Sequence, residues 1–336
     1  MVAETHSPFT PRREMRERTG HLPLRRYERP IEAAGASAVL PARESMSFEE
    51  GRAAIAGSAI LPGAQALVLG LLRTGTTRFF PGGGVGIEYS SLLKTAVRPD
   101  YLAGHVREVA AHLAAQRIDL LLVPGMSGYP VGAGYAMVAG LPAILLKKQK
   151  LRSDPEARYP AGSFAIPSYT GEGDVVISAD LDAVRDIVAC VAKPQIAAQA
   201  DSASVLLTIR AAGADDIIDK ATMAHAITDN APLFCQPALD EAIAAHRART
   251  GDRRPIASRV EVATWVTPLI KAYNGPCEHL MTHFGIRPFA GVTVTSVHLD
   301  PCAIGIEGVG VVRFASGGQG SGIGGRGSTN GAGEIG

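Results

Sequence analysis

A chain of 336 residues with 46% hydrophobic and 19% charged residues has the composition of an ordinary globular protein and enough apolar material for a sizeable core in one large or two medium domains. With 33 basic against 32 acidic residues the formal net charge is +1, which excludes the broad cationic field that non-specific nucleic-acid binding uses. The four cysteines, Cys190, Cys235, Cys277 and Cys302, form no CxxC pair, which disfavours a zinc knuckle or a disulfide framework. Reduced thiols in a cytoplasm fit this pattern. No apolar run approaches the ~18 residues of a membrane span, and the first residues lack a signal-peptide core.

In chain order, residues 1–47 mix arginines and glutamates with Pro8, Pro11, Pro23, Pro30 and Pro41. They read as a largely solvated arm, with a helix near Glu14–Arg18 and a surface for a partner subunit. The segment 48–65 reads as a helical or mixed entry, Ala66–Leu72 as an apolar strand, and Arg78–Tyr89 as a glycine turn leading into extended chain. Residues 99–116 show helical spacing of Leu102, Val106, Val109 and Leu113, with Pro99 at the start and Asp100 in the first turn.

The most informative stretch is 119–147, DLLLVPGMSGYPVGAGYAMVAGLPAILLK. It reads as strand, glycine-bearing loop, small-residue helix and strand. Orphan N–H groups and the positive end of the helix dipole at such a loop suit a phosphate, pyrophosphate or carboxylate, although any βαβ unit also needs glycines for its turn. The order of elements predicts an α/β fold: three layers, with flanking helices on a mostly parallel sheet.

Beyond it, Lys150–Gly162 is polar, proline-bearing and aperiodic, as a mobile lid or an ordinary surface loop would be. Ser163–Ser168 and Asp174–Ser178 read as two extended arms across a turn at 169–173. Residues 188–255 are mostly helical by composition and read as a helical insertion. His279 and His283 lie four apart on a predicted helix without a third ligand nearby, so no metal site is assigned. Trp265 reads as packing, and His298 with Asp300 as a strand-end polar pair. Half of residues 317–336 are glycine, and that segment is expected to stay disordered.

The run GIEYSSLLKTAVRPDYLAGHVREVAAHLAAQRIDLLLVPGMSGYPVGAGYAMVAGLPAILLKKQKL, residues 86–151, resembles the first half of a type I phosphoribosyltransferase of the orotate and adenine phosphoribosyltransferase kind. The resemblance implies a phosphoribosyltransferase-like domain over 48–316. Gly125, Met126, Ser127, Gly128 and Tyr129 would bind pyrophosphate, and Lys147, Lys148 and Lys150 would serve catalysis at the mouth of a closing loop. Met126 and Ser127 stand where many members carry an arginine or an acid.

The family's acidic pair and Thr/Gly-rich loop, which hold the ribose hydroxyls and 5-phosphate, have their nearest match in Asp215, Asp216, Asp219 and Thr222. That stretch also fits a helix beginning after Gly213. A second placement puts the loop near residues 262–273, ahead of a helix and final strand within 279–297. The implied partners are phosphoribosyl pyrophosphate with Mg2+, a nucleobase or related nitrogen heterocycle, and a second copy of the chain as a homodimer. The alternatives are a phosphoribosyltransferase-fold regulatory protein that binds a nucleotide or phosphate without turnover, and an unrelated α/β protein sharing a βαβ loop.

Overall fold

The computed structural model describes residues 24–27, 44–79, 85–94, 96–151, 159–160, 162–168 and 173–315. In chain order the elements are β1 (Arg25–Arg26), α1 (Phe48–Ala56), α2 (Pro62–Thr74), β2 (Thr76–Phe79), β3 (Val85–Glu88), α3 (Ser90–Leu93), α4 (Pro99–Ala115), β4 (Leu120–Pro124), α5 (Tyr129–Ala139), β5 (Ala143–Lys150), β6 (Phe164–Pro167) and β7 (Asp174–Ser178). There follow α6 (Leu181–Ala197), β8 (Val205–Ala214), β9 (Ile217–Ile218), α7 (Thr222–Thr250), β10 (Ile256–Lys271), α8 (Pro276–Phe284), β11 (Phe289–Leu299), β12 (Cys302–Ile306) and β13 (Gly310–Arg313).

Five parallel strands form the centre of one sheet, in the spatial order β5-β4-β8-β10-β11. The antiparallel pair β7 and β6 extends it beyond β5, with β1 at that edge, and β12 and β13 extend it beyond β11. Both faces of β4 are buried, as an inner parallel strand requires. Leu120 and Leu122 pack with α6 and α7 residues such as Val184, Val188, Ile227 and Leu239. Leu121 and Val123 pack on the opposite face with Leu71, Val109 and Tyr135, from α2, α4 and α5. The result is the three-layer arrangement expected from sequence.

The crossover from β4 to β5 passes through α5 on one face, and the crossover from β8 to β10 passes through α7 on the other. Chain progression therefore reverses between the neighbours β4 and β8. Their carboxyl ends open a crevice at this switch point, where doubly wound sheets take ligands.

Several expectations fail for identifiable reasons. Ala66–Leu72 belongs to helix α2, not to a strand. Pro62 occupies its first turn, and Leu67, Val68, Leu71 and Leu72 are all buried at helical spacing, a pattern that a short apolar run does not separate from a strand. The proposed insertion at 188–255 contains β8, the strand between β4 and β10, and α7 is the crossover that follows it. Its Val205, Leu207 and Ile209 alternate with more exposed Leu206, Thr208 and Arg210, a period of two that the surrounding alanines obscure. The helix expected after Gly213 is replaced by a loop at Asp215–Asp216 and by β9, which pairs with Leu269–Ile270. The second loop placement, 262–273, lies mostly inside β10, while α8 and β11 occupy 279–297 as expected. Part of the arm is strand rather than solvated chain: Arg25–Arg26 pair with Phe164–Ala165, and Tyr27 is hydrogen-bonded to Asp229. The expected helix near Glu14, most of the Lys150–Gly162 loop, the 169–172 turn and the glycine tail lie outside the described residues.

Candidate functional site

The loops leaving β4 and β8 stand side by side and wall a cavity of about 690 Å3. Further walls come from Glu88, Tyr89 and Lys94 around β3 and α3, from Lys148 on β5 and from Lys271 at the end of β10.

The β4 loop is held by the Gly125 N–H, which donates to the Leu146 carbonyl at 2.8 Å, and by the Tyr129 hydroxyl, which donates to the same oxygen at 2.8 Å. Tyr129 therefore braces the loop against β5 and does not line the cavity. Gly128 has φ −73°, so no left-handed conformation explains it. Its reason is close approach: a Cβ there would stand 2.7 Å from the Pro124 carbonyl oxygen and 2.9 Å from Asp215 Oδ1. A Cβ on Gly125 would stand 2.8 Å from the Leu146 carbonyl oxygen. Pro124, Gly125, Met126 and Ser127 face the cavity, with α5 starting immediately after them. No acidic side chain occupies the first turn of α5, so its dipole favours an anion.

The β8 loop is dense in charge. Asp216 is 1% exposed, accepts a hydrogen bond from the Tyr89 hydroxyl at 2.8 Å and lies 3.6 Å from Lys94 Nζ. Asp215 Oδ1 accepts the Asp216 N–H at 2.9 Å. Asp215 lines the cavity, and burial together with the neighbouring Asp216 charge holds its pKa well above the ordinary aspartate range, against an opposite pull from Lys148. Asp219 is paired with Lys271 at 2.8 Å and with the Asn274 amide. Residues 219–224 then run along the cavity into the first turn of the 29-residue α7, presenting a second helix N-terminus. Ala221 takes a left-handed conformation at φ 57° to make that entry.

All four residues of the sequence-predicted β8 loop, Asp215, Asp216, Asp219 and Thr222, border the cavity. Of the three lysines only Lys148 does. Lys147 points away to Asp180 at 3.4 Å, and Lys150 lies further along exposed β5. Sequence reasoning passed over Tyr89, Lys94 and Lys271. Lys271 carried a signal, because a lysine ending the buried run WVTPLI marks a charge placed at the carboxyl edge of a core strand. His279, considered for a metal, meets His225 Nδ1 through Nε2 at 2.8 Å, and among the described residues no group of three or more histidine, cysteine or acidic side chains is arranged to hold a metal ion.

No protein-family model matches the chain, and no curated protein matches it. Solved structures do, several adenine phosphoribosyltransferases among them. The Saccharomyces cerevisiae enzyme, complexed with an imino-altritol bisphosphate and adenine, aligns at 10% identity and a TM-score of 0.42, covering 68% of this chain and 98% of that one. The Rhodothermus marinus enzyme aligns at 13% identity and 0.40, covering 68% and 99%, and the Giardia lamblia enzyme complexed with 9-deazaadenine at 12% and 0.40, covering 69% and 97%.

Proposed function

We propose that this chain is a phosphoribosyltransferase, moving a phosphoribosyl group from phosphoribosyl pyrophosphate to a nucleobase or related nitrogen heterocycle. One observation carries the reading: the glycine-bearing loop that leads into α5, the first turn of α7 and an acidic pair at the end of β8 border a single cavity at the switch point of the sheet. A ligand with an anionic group at each end and a diol between them matches that layout.

In this reading the N–H groups of Met126 and Ser127 take the pyrophosphate, beside Gly125 whose own N–H is held by the Leu146 carbonyl, and those of residues 220–223 take the 5-phosphate. Asp215 accepts hydrogen bonds from the ribose hydroxyls, while Asp216, fixed by Tyr89 and Lys94, orients Asp215 through its own N–H. Lys148 stands where charge develops on departing pyrophosphate, an interaction that strengthens towards the transition state. The acceptor ring lies against the apolar part of the wall, with Ile87, Tyr89 and Ile166.

Among the described residues no group of three or more histidine, cysteine or acidic side chains cages a divalent ion, and Mg2+ is commonly held by one or two carboxylates together with substrate phosphates. Asp215 is the residue fitted to contribute a carboxylate, and the ion would neutralise pyrophosphate as it leaves. A second copy of the chain is proposed for the outer face of α5, which is apolar all round and leaves Met137 83% exposed.

A non-catalytic reading has one observation in its favour: Asp216 and Asp219 are already engaged by Lys94 and Lys271. The deciding experiment follows donor binding by calorimetry in magnesium and nucleotide formation by chromatography across a panel of nucleobases. Binding with product establishes the transferase, and binding without product across the panel establishes the regulatory reading. Absence of both refutes the donor site.

A further inference from the structure

The entrance to α7 carries a charge of the wrong sign for an anion site. Ala221, at the cap position, has no polar side chain to satisfy the first N–H groups of the helix, and no acid occupies the first turn, so those groups favour an anion. Yet Asp219 stands on the cavity wall just ahead of them, where a lone carboxylate would repel a phosphate.

The surroundings of Asp219 remove the conflict. Parallel pairing of Ile218 with Ile270 brings Asp219 beside Lys271, the last residue of β10. Lys271 Nζ donates to Asp219 Oδ2 at 2.8 Å, and the Asn274 amide, from the short turn after β10, donates to Oδ1. The Lys271 and Asp219 side chains are only 5% and 13% exposed, so the pair escapes most of the solvent screening that weakens surface ion pairs. Lys271 is itself fixed, since its backbone is in register with Val294 of β11.

Asp219 is thus tied through both oxygens to the end of a core strand. Two residues later the chain turns through Ala221 at φ 57°, a left-handed conformation uncommon outside glycine. Such backbone persists only where its surroundings over-determine it. The His225 N–H, donating to the Ala221 carbonyl at 2.7 Å, fixes the far side of the turn, and Asp219 fixes the near side.

Within the phosphoribosyltransferase reading, on which this rests, we infer that Asp219 and Lys271 are positioning residues: together a neutral pair, they hold the left-handed turn at Ala221 so that the N–H groups of residues 220–223 meet the 5-phosphate of the donor. The acid serves an anion site by anchoring its backbone.

Charge and anchoring make opposite demands on the same side chain. If Asp219 acts through its charge alone, removing it tightens phosphate binding; if it anchors the turn, removing it weakens binding. Calorimetry on the full chain compares ribose 5-phosphate, which carries only the 5-phosphate, with inorganic pyrophosphate in Mg2+, the ligand of the β4 loop. Asp219→Ala and Lys271→Met should each weaken ribose 5-phosphate about tenfold, as when the binding-competent turn is populated about a tenth of the time. The double variant should lose no more than the worse single one, since the two residues act as a unit, and pyrophosphate affinity should stay within about twofold throughout. The double variant leaves the net charge unchanged and no buried ion unpaired, so it carries the decision if either single variant fails to fold. Ribose 5-phosphate affinity within about twofold of the parent in the double variant, or tighter binding to Asp219→Ala, overturns the positioning role and leaves the transferase reading standing. So does equal weakening of both ligands, which would signal a general loss of structure, and so does a parent chain that binds pyrophosphate but not ribose 5-phosphate. A parent chain that binds neither refutes the transferase reading, and the positioning role with it.

Discussion

The two loops at the switch point solve the same geometric problem with opposite chemistry. The β4 loop, 125–128, carries no charge, and its glycines are fixed by backbone oxygens and by Asp215 less than 3 Å from where a Cβ would sit. The β8 loop, 215–222, carries Asp215, Asp216, Asp219 and Lys220, with Lys94 and Lys271 brought in from elsewhere in the chain. An uncharged loop recognises through main-chain N–H groups and is vulnerable to bulk. A charged loop recognises through side chains and is vulnerable to neutralisation. Substitutions of each kind should therefore separate the two.

The largest expected effect is at Asp215. Asp215→Asn removes a carboxylate that donor hydroxyls or the metal ion would hold in its ionised form, and should weaken donor binding about a hundredfold, the scale of one or two charge-assisted hydrogen bonds. The same change should stabilise the ligand-free chain. Because burial raises the pKa of Asp215 in the folded state, its contribution to stability is complete at low pH and is lost as pH rises through the folded value. The variant should thus melt higher than the parent at pH 7, and the gap should close below the ordinary aspartate range. Calorimetry and thermal melts at pH 7 and pH 3.5 check both halves; a melting temperature lowered at neutral pH would refute this account of the carboxyl.

Next comes Gly128→Val, where the added carbons meet the Pro124 carbonyl and Asp215. Overpacking of this kind costs about 1–3 kcal/mol, and donor affinity should fall tenfold or more through displacement of Asp215. Unchanged affinity in a folded variant would mean that the β4 loop is not part of the donor site. Lys148→Ala should lower kcat about tenfold with little change in donor affinity, whereas Lys147→Ala and Lys150→Ala should leave both within about twofold, as for exposed charges. Equal losses in all three lysine variants would contradict the distinction that the cavity draws between them. The smallest functional change is expected from Met137→Glu on α5, which should shift sedimentation of the proposed dimer to monomer while leaving donor affinity nearly intact, and a parent chain that sediments as a monomer would refute the dimer proposed on this face.

The β4 half of this contrast was far more legible in the sequence than the β8 half. Residues 119–147 are contiguous, and the apolar run, the paired glycines and the small-residue helix report directly on strand, turn and crossover. Around β8 the relevant information is dispersed. Asp216 gains its surroundings from Tyr89 and Lys94, 127 and 122 positions away, and Asp219 from Lys271, 52 positions on. Asp215, Asp216, Ile217 and Ile218 satisfy a helical pattern as well as a loop and a two-residue strand, and only pairing of β9 with Leu269–Ile270 decides between them. Local pattern also failed at Ala66–Leu72, where seven successive apolar or glycine residues hide in sequence the helical spacing that burial shows in the fold.

Arg25–Arg26 lie along β6, and Met46 bridges to Val312 on β13. These are the two outer margins of the sheet, and the same part of the chain reaches both. An uncovered margin is a row of unpaired amide and carbonyl groups, open to a strand from any neighbouring molecule. Deleting residues 1–47 should therefore cause self-association in concentrated solution, seen as rising light scattering on storage, before it affects any ligand.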